Sequence, residues 1–225
     1  MVALMEIGGT TVFQEGKAIL FQAGMAIDCD GAPNAYGPQG SKALDYLANA
    51  GHPGKWWGIE TDTGKPEGSP IKQGAADPCP GFYVSSTSLV DKYYGRSNPR
   101  RYVDSTKVPY IALPKVFLNA EDWKVKIGDL AMVVPRNGTG PMSAAIFADV
   151  GPKGKLGECS VCLADRVGVP SSPKNGGTKD LFSYVLFPGS GKGQGIIPAV
   201  DEIVMKALQL FNDFGGLNQL TKVFP

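Results

Sequence analysis

Apolar positions along the chain fall into short runs separated by turn residues, with few long helical stripes. TVFQEGKAILFQAGMAIDCDG (11–31) holds short apolar runs and ends in Asp-x-Asp-Gly, which reads as paired strands closing in a turn. FYVSSTSLVD (82–91) alternates as a strand does, and VPYIALPKVF, VKIGDLAMVVP, SAAIFADV and LFSYVLFPGSG supply further strand candidates. The stretch 51–81 is turn-rich and carries two adjacent tryptophans. Two segments carry helical spacing. SKALDYLANAG (41–51) has Ser41 as N-cap, a stripe of Ala43, Leu44, Leu47 and Ala48, and a stop at Gly51. PAVDEIVMKALQLFNDFGG (198–216) places Val200, Ile203, Val204, Ala207, Leu208, Phe211 and Phe214 on one face before Gly215. The pattern predicts one mainly β domain over residues 1–225, barrel-like, with the double-psi barrel as one form it could take. A few helices, including the C-terminal amphipathic one, would pack against it.

Composition narrows this little. The 30 Gly and 18 Pro form about a fifth of the 225 residues, which suits a loop-rich β protein and stops short of disorder. With 22 basic and 21 acidic residues the net charge is +1, so no basic face for nucleic acid is implied and any attraction for a cation must be local. No apolar run approaches the length of a membrane span. The N-terminal stretch lacks the basic start and unbroken apolar core of a signal peptide, which suits a cytosolic protein or a mature form with a new Met1. The four cysteines, Cys29, Cys79, Cys159 and Cys162, leave disulfides, buried thiols and half of a metal or redox site open. Asn137-Gly-Thr139 is a glycosylation sequon, meaningful only in a secreted eukaryotic protein.

Several chemistries are missing. There is no phosphate loop, no GxGxxG and no GxSxG, and the single histidine, His52, sits in a turn sequence. Asp28-x-Asp30-Gly31 is too short of ligands for an EF-hand. Carboxylates and aromatics remain, and that pairing suits carbohydrate chemistry: two acids cut a glycosidic bond while aromatic rings stack on sugar faces. In FADVGPKGKLGECS, Asp149 closes one apolar run and Glu158 opens the next. If 143–149 and 158–164 are adjacent strands, the turn between them brings both acids to one rim at the gap an inverting pair needs, with loop-end acids facing water as the bland alternative.

Taken in order, MAIDCDGAPNAYGP, WWGIETD, GFYVSSTSL, VPYIALP, GDLAMVV, IFADVGPKGKLGECSVCLA and VLFPGSG make the sequence resemble the chitosanases of glycoside hydrolase family 75 over most of residues 10–195. The resemblance implies an extracellular, endo-acting, inverting hydrolase of β-1,4-linked glucosamine, with Asp149 and Glu158 as the essential acids and no metal or cofactor. Its partner is chitosan or its oligosaccharides, without nucleic acid or membrane, and a monomer is expected. Glu158 is taken as the acid and Asp149 as the base. Ala26 stands where family members often carry an additional acid, so the subsite there is expected to be weaker or altered.

Further substrate contacts are expected from Asp28 and Asp30 on glucosamine ammonium groups, or else as turn caps. Trp56 and Trp57 point opposite ways in extended chain, so one should floor a subsite while the other enters the core. Glu60 and Asp62 could share a face with one tryptophan. Tyr36 could stack on sugar or pack beneath its loop. The Gly-rich 189–195 reads as a linker or cleft rim. A glycosidase on another amino-sugar polymer and a non-catalytic carbohydrate-binding module are the rival readings.

Overall fold

The computed structural model describes residues 1–225. In chain order the elements are β1 (Val2–Ile7), β2 (Thr10–Glu15), β3 (Ala18–Asp28), β4 (Gly51–His52), β5 (Lys55–Trp56), β6 (Tyr110–Pro114), α1 (Val116–Asn119), β7 (Leu130–Pro135), β8 (Ser143–Gly151), β9 (Glu158–Ser160), α2 (Val161–Arg166), β10 (Thr178–Phe187), α3 (Val200–Phe214) and α4 (Gly216–Val223). Six strands close a barrel in the order β3-β10-β7-β8-β6-β9, with β9 pairing back onto β3. The mainly β, barrel-like expectation therefore holds. The β1–β2 hairpin extends the sheet from the first residues of β3, where Phe13 pairs with Leu20. No helix is long and apolar enough to cross a membrane.

The near-continuous apolar runs of β7 and β8 follow from burial on both faces. One face fills the barrel, and α3 packs on β7 and β8 from outside. Its stripe buries Ile203, Ala207 and Phe211, Asp201 and Glu202 sit in the first turn where the helix dipole favours acids, and Gly215 ends it in the left-handed region. Phe21 stacks on Tyr184 inside the barrel with ring centroids 4.8 Å apart.

Between β3 and β6 the chain builds a loop lobe with only the two-residue strands β4 and β5 and isolated bridges such as Ile59–Ser85 and Lys72–Tyr83. It has its own small core of Cys29, Ala32, Ala35, Tyr36, Ala50, Trp56 and Ile59. The buried Gln73 side chain ties it together, donating to the Pro33 and Tyr83 carbonyls and accepting from Cys79 N–H.

Two expectations fail in this lobe for one reason. The helix read over 41–51 is a single 3₁₀ turn, Leu47–Ala50. Leu44 and Asp45 N–H donate to the carbonyls of Asn34 and Ala35 instead of into a helix. The strand read over 82–91 makes no ladder: Tyr83 N–H donates to Tyr36 and Val84 N–H to Ile71, each a different segment. In both places long-range pairing takes the backbone groups that local structure would use.

None of the four cysteines is paired, and Cys29 and Cys159 are buried. Burial pushes both thiols up, so they stay protonated packing groups.

Candidate functional site

Asp149 and Glu158 are not on neighbouring strands of a hairpin. β6 runs between β8 and β9, and Ala112 pairs with Asp149 on one side and Glu158 on the other. Beyond Glu158 the row continues to Ala26 of β3. Residues in register across a sheet project to the same face, and strands lie about 4.8 Å apart, so the two acids flank Ala112 with Cα atoms roughly 10 Å apart. That separation leaves their carboxyl groups room for the gap of about 6.5–9.5 Å used by inverting glycosidases. The expected 158–164 strand is also shorter than read. It ends at Ser160, whose hydroxyl caps α2 by accepting from Leu163 N–H at 3.1 Å and also accepts from Tyr110 N–H of β6 at 2.9 Å. This double anchor seats β9, and with it Glu158.

The two acids have unlike surroundings. Three donors converge on Asp149 Oδ1: Ser88 N–H at 2.8 Å, Ser88 Oγ–H at 2.7 Å and Val150 N–H at 2.8 Å. Oδ2 receives none of them. Burial pushes the Asp149 carboxyl up to about 6, and the same hydrogen bonds hold it below what burial alone would give. Glu158 lies against Gly151, where a Cβ would come 2.6 Å from Oε2, so only glycine leaves the carboxylate its place. Burial raises the Glu158 carboxyl, Lys155 opposes that, and Asp149 adds to it.

Both acids line a cleft of about 1010 Å³. Its floor comes from the end of β3, and its wall from the loop lobe through Tyr36, Asp45, Asn49 and Trp57. Asp28 and Asp30 stand beside Asp149, one carboxylate oxygen of each lying within 4.8 Å of the others. That spacing lets the three share one cation, whether an ammonium group or a metal ion. Asp28 Oδ1 also accepts from Asp30 N–H, and Ser85 Oγ–H donates to Asp30, so both acids serve their turn as well. Burial foremost, then the neighbouring carboxylates, pushes both well above the usual range.

The tryptophans divide. Trp56 is 7% exposed and belongs to the lobe's core, while Trp57 is 58% exposed and lines the cleft. The Trp57 indole is fixed by donation to the Asn49 carbonyl at 2.8 Å and by the His52 ring set edge-on. Tyr36 reaches the cleft but is packed beneath its loop at 4% exposure, with its hydroxyl toward Asp30, so it offers no open stacking face. Glu60 lines a smaller hollow of about 420 Å³ that shares Asp30, Trp57, Asp149 and Val150 with the main cleft. Asp62 is away from both: its Oδ1 accepts from Thr63 and Ser69 N–H and shapes a turn. The Gly-rich 189–195 is more than a linker. Asp129 accepts from Gly189 and Gly191 N–H, and Gln194 donates to the Ser88 carbonyl at 2.8 Å.

Ser88 and Asp45 escaped the sequence reading. Ser88 sits in an ordinary alternating stretch, and only the 61-residue jump to Asp149 gives it a role. Asp45 was hidden inside an apparent helix, yet it lines the cleft and holds Tyr46 N–H and the Asn49 amide. Neither a protein-family model nor a curated protein matches the chain, so the functional reading rests on this geometry and on the motif resemblance.

Proposed function

We propose that the cleft hydrolyses β-1,4 bonds within chitosan by inversion. The observation carrying this is the unlike pair flanking Ala112 in an open, carboxylate-lined groove beside an exposed tryptophan. Three hydrogen-bond donors favour the ionised form of Asp149 and leave Oδ2 to take a proton from water. Burial raises both carboxyls, but Glu158 receives no such donors, and that difference suits it as the carboxylic acid that protonates the glycosidic oxygen. Water attacks the anomeric carbon from the Asp149 side as the bond to the leaving oxygen breaks, and the products leave with inverted configuration. A glucosamine ammonium entering beside Asp28 and Asp30 offsets the burial that raises their carboxyls and lets them ionise against it, and Trp57 supplies a face for a sugar ring. A polymeric substrate is met outside the cell, so an extracellular location belongs to this reading.

Reducing-end release from soluble chitosan by the purified protein, beside Asp149→Asn and Glu158→Gln, tests this. The wild type should release short oligomers and each variant should lose about 10²–10⁴-fold in rate. If both variants cut normally, the assignment is wrong. Faster cutting of a highly acetylated polymer would move the substrate to another amino-sugar glycan, and binding without cutting would leave a carbohydrate-binding module.

A further inference from the structure

Lys174 reaches across one end of the cleft. It lies between Pro173 and Gly176, which line the cleft from the loop that joins α2 to β10. Its Nζ donates to the Ala43 carbonyl of the loop lobe at 2.8 Å and stands 5.3 Å from the centre of the Tyr46 ring. Tyr46 in turn sits between Asp45 and Asn49, which line the cleft from the other side. The loop that carries Lys174 is seated firmly. Gly176 N–H donates to the Ser172 carbonyl at 2.6 Å and Gly177 N–H to the Pro170 carbonyl at 2.7 Å. A Cβ on Gly177 would stand 2.4 Å from the Met25 carbonyl oxygen, so only glycine fits. The movable part is therefore the lysine side chain, which is exposed and takes part in none of the chain's ion pairs. Asp45 commits its oxygens to Tyr46 N–H and the Asn49 amide, and Lys42 precedes Ala43 as a like charge. A carbonyl and an aromatic face, rather than a carboxylate, hold this ammonium.

A primary ammonium with three donors is also what a glucosamine unit carries. Tyr46 is 60% exposed, so a sugar can approach the ring that Lys174 covers. Tyr46 caps the 3₁₀ turn Leu47–Ala50, and the Asn49 carbonyl of that same turn fixes the Trp57 indole. One short turn thus sets two exposed aromatic rings beside the cleft. We propose that the Ala43 carbonyl and the Tyr46 ring form an outer ammonium subsite for glucosamine, which Lys174 fills in the free protein and gives up to the incoming chain. The exchange swaps one ammonium for another, so the carbonyl and the ring stay partnered while the displaced lysine returns to water and regains its side-chain freedom. While Lys174 fills the subsite the chain cannot use it, so apparent affinity falls with the fraction of protein in that state. The inference rests on the chitosan reading and adds to it a subsite at the cleft's rim.

The test is steady-state cutting of glucosamine oligomers of increasing length by the wild type, Lys174→Ala, Tyr46→Leu and the double variant. Lys174→Ala removes the competing cation, so KM for long oligomers should fall about 2–5-fold with kcat held, the scale of one exposed cation–π contact. Oligomers too short to reach the rim should show no change in that variant. Tyr46→Leu keeps an apolar side chain but no ring, and should raise KM for long oligomers by a similar factor. In the Tyr46→Leu background, Lys174→Ala should then have little effect, since the site it guards is gone. A higher KM in Lys174→Ala would make the lysine a strap that the groove needs. An unchanged KM in Lys174→Ala or in Tyr46→Leu would show that no ammonium lands there. Each of these outcomes overturns the subsite while leaving chitosan hydrolysis standing. A protein that cuts no glucosamine polymer at all would remove both.

Discussion

The barrel and the loop lobe hold their shapes by different means. The barrel and the elements packed on it bury a cluster of 41 residues, which takes in Leu89 and Val103 from the lobe's end of the chain, and the barrel's strands are tied by continuous ladders. The lobe has a core of seven, isolated bridges and side-chain ties such as Gln73. Yet each supplies part of the cleft: the barrel gives Asp149, Glu158 and Asp28, and the lobe gives Trp57, Asp45 and the Ser88 that holds Asp149. Rigid strands place the two flanking acids, and a lightly cored lobe shapes the groove around them. Regions with few buried contacts open at lower free energy than the main core, so the lobe is where the groove can yield.

The largest contrast is Phe147→Ala against Trp56→Ala. Phe147 is fully buried in the barrel, and its loss should cost about 3–5 kcal/mol of global stability in denaturant unfolding. Trp56→Ala should move the global midpoint less, while opening the lobe to hydrogen exchange and lowering activity. Equal shifts in global stability would make the two regions one cooperative unit. Next in size is Gly151→Ala. Its Cβ would crowd Glu158 Oε2, so the rate should fall by about 10²-fold, the scale of an ångström's misplacement of a reacting group, with little change in melting temperature. A near-normal rate would show that Glu158 does not need its seat on Gly151.

Ser88→Ala should be smaller and visible in pH dependence. It removes a hydroxyl donor that favours ionised Asp149, so the acidic limb of the rate profile should move to higher pH by about one unit. An unmoved limb would show that the lobe does not tune the barrel's carboxylate. The smallest effect is on stability against pH. Asp149 is raised to about 6 in the folded protein against an ordinary value of 3.8, so between those values the folded chain binds the extra proton. Stability from this group is full below pH 4 and is lost as pH rises through 6. Melting temperatures across that window should fall with pH, and less steeply in Asp149→Asn.

The apolar runs of β6, β7, β8 and β10 and the stripe of α3 were readable because burial on the barrel or against it is a property of the run itself. The acids were readable as a pair because they sit at the edges of their runs. Their arrangement was misread as a hairpin because β6, more than thirty residues earlier in the chain, slips between β8 and β9. The lobe was misread for the same kind of reason. Residues 41–51 carry a good helical stripe, but their donors find Asn34 and Ala35 first.

The sequence alone determined that the chain is a strand-rich domain closed by an amphipathic helix, since alternation, run length and turn residues are local quantities. Tertiary structure decided which strands are neighbours, which of two adjacent tryptophans meets the cleft, and that a serine from the lobe grips Asp149. Those outcomes depend on contacts between residues far apart in the chain, and the free energy that selects them appears only when the segments are packed together.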